Sequence, residues 1–69
     1  MSESVYKVIE IVGVSSESWE KAASAAVERA SKTLTDLRIA EVSELDMKIT
    51  DGKVVGYRAR VKVSFKFKD

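Results

Sequence analysis

Apolar and polar residues alternate without a break over the last quarter of the chain, from Val54 to Lys68. Apolar side chains stand at Val55, Tyr57, Ala59, Val61, Val63, Phe65 and Phe67, with Gly56, Arg58, Arg60, Lys62, Ser64, Lys66 and Lys68 between them. Successive strand side chains point to opposite faces, so the spacing predicts one long strand with an apolar face and a cationic face. At about 3.3 Å per residue such a strand spans roughly 50 Å if straight, whereas a compact chain of this length has a radius of gyration of only about 11 Å. It must curl around something or reach past its own domain to a neighbour.

The earlier elements follow from the same kind of pattern. Met1–Glu3 reads as a frayed terminus. Ser4–Val12 carries Val5, Tyr6, Val8, Ile9, Ile11 and Val12, which predicts a strand buried on more than one side and ended by Gly13. Ser15 or Ser16 offers a helix N-cap, and Glu17 and Glu20 place negative charge on the first turns. From Ser16 to about Asp36 the period becomes helical, with Trp19, Ala22, Ala23, Ala26, Val27, Ala30, Leu34 and Leu37 on one side. The alanines in the middle of that stripe let the helix lie close against a sheet.

Arg38–Thr50 returns to strand character with a change of phase. Ala40 and Val42 are apolar at even positions, and Leu45, Met47 and Ile49 at odd ones, so a bulge or bend is expected near Ser43-Glu44. Asp51-Gly52 is a hairpin signal, because a type I′ turn needs positive φ at both central residues. The result is one α+β domain over residues 1–69, ordered β-α-β-β. A helical crossover makes the first two strands run the same way, and the hairpin makes the last antiparallel to both. The expected sheet is three-stranded, of antiparallel type and in the order 1-3-2. The longest strand is central, and the sheet curls around the one helix.

Composition narrows the function more by exclusion than by assignment. Without proline, cysteine or histidine, the chain has no disulfide, zinc cage or haem ligand set to staple a core of marginal size. Oligomerisation is the remaining common route to more buried surface. No apolar run approaches a membrane span and no leader pattern opens the chain, so a cytoplasmic address and no membrane partner are expected. Net charge is +1, yet it is unevenly spread: after Asp51-Gly52 come Lys53, Arg58, Arg60, Lys62, Lys66 and Lys68, and the only acid there is Asp69. The basic strand face reads as a solvated face that discourages edge aggregation, or as half of a complementary subunit contact. A nucleic-acid surface ranks below these, because few aromatics interleave the charges.

Catalytic chemistry is scarce. The three glycines stand too far apart for a phosphate loop, and no histidine or cysteine offers a base or thiolate. Glu41, Glu44 and Asp46 cluster on the second strand, where they can act as acid and base or bind a hard cation through oxygen. The favoured reading is that they are solvated or pair with the basic residues opposite on the hairpin. Trp19 reads as a helix-face anchor rather than a stacking platform. No enzyme is expected.

Several stretches carry a resemblance: Val5 to Gly13, then Ser15-x-x-Ser18-Trp19-Glu20-x-Ala22, Arg29-Ala30, Ala40-Glu41-Val42 and Val61-x-Val63-x-Phe65. In order and spacing, over nearly the whole chain, they resemble the dodecins. That family implies a small β-α-β-β protein assembling into a hollow homododecamer of cubic symmetry. Many dodecins bind paired flavins inside the shell for storage or sequestration. The resemblance therefore implies FMN or riboflavin as ligand, with Ile39, Arg58 and Leu45 as the cofactor-binding set.

Two of those positions depart from the flavin-binding pattern. The family's flavin-stacking tryptophan falls at Ile39, and the glutamine that bonds the flavin edge falls at Arg58. Isoleucine can cover a ring but supplies no aromatic stacking, and arginine has donors but no acceptor. The variant is closer to dodecins with a helix tryptophan, here in Ser18-Trp19-Glu20, a type associated with calcium. For that alternative, a shell that binds calcium or magnesium, the resemblance implies Glu17 and Glu44 near subunit junctions as the metal-binding residues.

Overall fold

The computed structural model describes residues 3–66. The chain forms β1 (Tyr6–Ser15), α1 (Trp19–Ala30), β2 (Leu37–Thr50) and β3 (Lys53–Lys66). The strands make one antiparallel sheet in the order β1-β3-β2, so the expected topology is the observed one. Met1 and Ser2, and the continuation of the last strand over Phe67 and Lys68, lie outside the described residues.

The β1 strand runs past Gly13, which the sequence reading took for its end. Gly13 stands opposite Ala59, under the helix, and a Cβ there would lie 1.9 Å from the backbone oxygen of Ala22. Its role is close approach, not chain reversal. The helix is shorter than the apolar stripe suggested. Its N-cap is Ser18, whose side chain accepts from Lys21 N–H at 3.0 Å. Ser15 instead accepts from the backbone of Glu17 at 3.0 Å, which turns the chain into the helix. At the far end, Lys32 and Thr33 bond back three residues and Ser31 Oγ donates to the carbonyl of Glu28. Local polar side chains thus offer the backbone an alternative to further helix. Asp36, at φ 60°, completes the exit, and Leu37 opens β2 instead of ending α1.

The hairpin is as expected. Asp51 and Gly52 have φ of 53° and 75°, as a type I′ turn requires. The register shifts between Val42 and Glu44, so Ser43 absorbs the change of phase. Two further shifts, at Arg38 and at Val55, had no phase signal in the sequence.

The core is small. Ala22, Ala26, Ala59, Val61 and Val63 are buried, with Ile9, Ile11, Ala23, Val27 and Leu37 packed around them. Val61 and Val63 are the largest side chains fully removed from solvent, each worth about 1.5–3 kcal/mol of burial. The helix lies over β1 and β3 and meets β2 at few points. Much of the apolar face of β2 is left bare, with Val42, Leu45, Met47 and Ile49 exposed. The molecule measures 54 × 20 × 14 Å with a radius of gyration of 14.3 Å, well above the compact value of about 11 Å.

Candidate functional site: a carboxylate–arginine face and an indole groove

The face of the sheet turned away from the helix carries most of the polar chemistry. Register places Asp46 opposite Arg58, Glu44 opposite Arg60 and Glu41 opposite Lys62, with Glu10 of β1 beside Lys62 on the other flank. Arg58 donates through Nε and Nη2 to the two oxygens of Asp46, at 2.7 and 2.8 Å. This two-point geometry is the strong form of the pair. The hydrogen bond from Arg58 holds the Asp46 carboxyl below the usual carboxylate range, and the same bond raises Arg58. Arg60 bridges all three strands: its Nε donates to Glu44 at 2.8 Å and its Nη1 lies 3.5 Å from Glu10. Asp46 and Glu44 thus pair with the arginines opposite, one of the two outcomes that the hairpin spacing allowed. The bridging role of Arg60 was less legible, because it depends on the shift at Ser43.

On the other face, Trp19, Ala23, Val42 and Leu45 line a groove of about 420 Å³. The Trp19 indole N–H donates to the backbone carbonyl of Asp46 at 2.9 Å, and its ring meets Tyr57 edge-on at 5.1 Å. Trp19 therefore anchors the helix start to the hairpin, at the residue whose side chain grips Arg58. No sequence pattern announced that link.

The dodecin family model matches residues 5–68. The calcium dodecin of Mycobacterium tuberculosis is 48% identical over 65 residues, covering 94% of this chain and 92% of that protein. A dodecin of Thermus thermophilus is 40% identical, with 94% of each covered. Among solved structures, a dodecin from Streptomyces coelicolor superposes with a TM-score of 0.91 at 36% identity, over 100% of this chain and 99% of the other. The chain belongs to the dodecin family.

Within this dodecin, the residues expected at a flavin site are not gathered in one chain. Ile39 and Arg58 share the polar face, but Ile39 pairs with Ser64, about 20 Å along β3 from Arg58. Leu45 lies on the opposite face, in the Trp19 groove. Ile39 is 68% exposed, and two of the Arg58 nitrogens are taken by Asp46. The expected metal residues are likewise apart in their partners. Glu17 pairs with Lys21 one helical turn on, and Glu44 with Arg60. Both carboxylates are largely exposed, at 64% and 70% of the side chain. Among the described residues, no group of three or more acidic side chains gathers to hold a metal ion. Nor is any described helix long and apolar enough to cross a membrane.

Proposed function

We propose that this dodecin is a cytoplasmic, non-enzymatic binding protein that assembles as a homododecameric shell and holds a divalent cation, calcium first, in preference to flavin. The observation that carries the choice is the Arg58–Asp46 pair. At the position where flavin-binding dodecins offer an amide with donor and acceptor, this chain places a guanidinium already bonded twice at 2.7 and 2.8 Å. With isoleucine in place of the stacking ring at residue 39, both halves of a flavin grip are weakened.

Support for calcium comes from kinship to a calcium dodecin at 48% identity and from the exposure of Glu17 and Glu44. Calcium takes six to eight oxygens, more than one chain supplies here, so the site would be built from several copies. Carboxylates brought together around a symmetry axis repel one another, and a cation relieves that repulsion. Magnesium holds its water shell more tightly and demands stricter geometry, so its effect should be weaker.

The test is melting temperature against added cation. Calcium should raise it, chelator should lower it, and Glu17→Gln with Glu44→Gln should abolish the response. An unresponsive wild-type protein would overturn the calcium reading, and a full response in the double variant would place the ion elsewhere.

A further inference from the structure

Each carboxylate named above as a cation ligand already has a positive partner within its own chain. Glu17 pairs with Lys21, four residues on, and Arg60 Nε donates to Glu44 at 2.8 Å. Exposed pairs of this kind are weak, so a divalent ion can take the place of either partner.

The two arginines of the polar face hold their carboxylates differently. Arg58 closes on Asp46 with two bonds. Arg60 uses only Nε on Glu44 and turns Nη1 toward Glu10, at 3.5 Å. These three side chains, with Ser43 and Lys62, line a polar bowl of about 340 Å³. Ser43 Oγ donates to the Arg60 carbonyl at 3.2 Å, which ties the bulge of β2 to the residue that carries the guanidinium. Arg60 thus stands on a fixed backbone between an acid of β1 and an acid of β2, on opposite flanks of β3. It cannot share Glu44 with a divalent ion without setting two positive charges side by side. A small rotation of its side chain leaves Glu44 and completes the contact with Glu10. Lys21, whose side chain is 64% exposed, is released to water instead.

We infer that Lys21 and Arg60 set the affinity of the cation site: they hold Glu17 and Glu44 until displaced by a divalent ion, and Glu10 receives Arg60 when it leaves. The inference rests on the calcium reading and adds which residues oppose the ion and which one assists it, none of the three being a ligand. Before any ion is bound, the same internal cations offset the repulsion among the gathered carboxylates.

Calorimetric titration of calcium into the assembled protein at about 0.15 M salt reads the affinities. The substituted side chains are partly or largely exposed, so the variants keep the fold. Arg60→Gln and Lys21→Gln should each tighten calcium about threefold to tenfold, through lost competition and lost repulsion. Glu10→Gln should loosen it about twofold to threefold while Arg60 is present. In the Arg60→Gln background it should change nothing, a coupling that a double-mutant cycle isolates. The direct pull of Glu10 on the ion is small, because two strand spacings put it about 10 Å from Glu44, beyond the screening length of about 8 Å. Unchanged or weaker binding in either Arg60→Gln or Lys21→Gln would overturn the inference. So would a Glu10→Gln effect that persists without Arg60. An equal gain in Lys62→Gln, which faces Glu10 and Glu41 rather than Glu44, would overturn it too, since net charge alone would then set the affinity. A wild-type protein that takes up no calcium would instead refute the calcium reading.

Discussion

The helix-covered half of the sheet and the bare hairpin arm use the same strand pair to opposite ends. Along β3, Ala59, Val61 and Val63 are buried beneath the alanines of α1, while Val54 and Val55 on the same strand stand about half exposed. The alternation runs unbroken from Gly56 to Lys66 and slips at Val55, but apolar residues continue into the arm, so the difference in exposure lies mainly in what covers the strand. A helix of three turns reaches only part of a 54 Å molecule. One half completes its core within the chain; the other leaves its apolar side chains exposed. The charged face shows the same division of labour, with Glu10, Glu44 and Asp46 satisfying the arginines within the chain.

Glycine substitutions should separate the two halves most sharply. Gly13→Ala sets a methyl group 1.9 Å from the Ala22 carbonyl oxygen, where backbone rather than a flexible side chain must move. We expect a cost of about 3 kcal/mol or more, read as a drop of more than about 10 °C in melting temperature. Gly52→Ala at the arm tip meets nothing within 4 Å but must hold φ at 75°. Its cost should be about 1 kcal/mol, from backbone strain alone. Equal losses at the two positions would erase the distinction between a packed half and an open one.

A subtler probe acts on the polar face of β2. Ile39→Trp restores the aromatic wall that the flavin-binding pattern has there, and should tighten riboflavin or FMN binding by about threefold to tenfold. Adding Arg58→Gln restores an acceptor and frees Asp46, so it should help further. Flavin fluorescence titration measures both. Equal, tight binding in wild type and variants would show that neither residue lines the site and would revive the flavin reading.

The smallest expected effect is in acid. The Asp46 carboxyl is held low by the Arg58 hydrogen bond, so the pair contributes stability that is present above the ordinary aspartate value of about 3.9. That contribution is lost as pH falls through the lower value in the folded protein. The pair is exposed, and its share is correspondingly small. Trp19, bonded to the Asp46 carbonyl, provides the readout: its fluorescence should hold steady down to about pH 4 and change below it. In Asp46→Asn that acid step should vanish, and a step of unchanged size would assign it to another carboxylate.

Most of the fold was legible in the sequence because it rests on local rules. The strict alternation of β3, the Asp51-Gly52 turn and the phase change at Ser43 each act within a few residues. What was misread lies where a tertiary contact overrides a local signal. Gly13 looks like a strand terminator and is a helix seat. Leu34 and Leu37 extend the helical stripe, yet the polar run from Ser31 to Asp36 has already turned the chain away. The site was less legible than the fold. Pairing of Asp46 and Glu44 with arginines was one of the two outcomes that hairpin spacing allowed. The separation of Leu45 from Ile39 and Arg58 depends on which face each side chain takes after the register shift.

The central claim is that one chain is an incomplete unit, and its mass in solution tests that most directly. Static light scattering at micromolar concentration should give a single species, of about twelve chains on the proposed shell reading, because a closed symmetric assembly has one size. A monodisperse monomer of 7.6 kDa would contradict it, since the bare arm would then have to be stable in water without a partner.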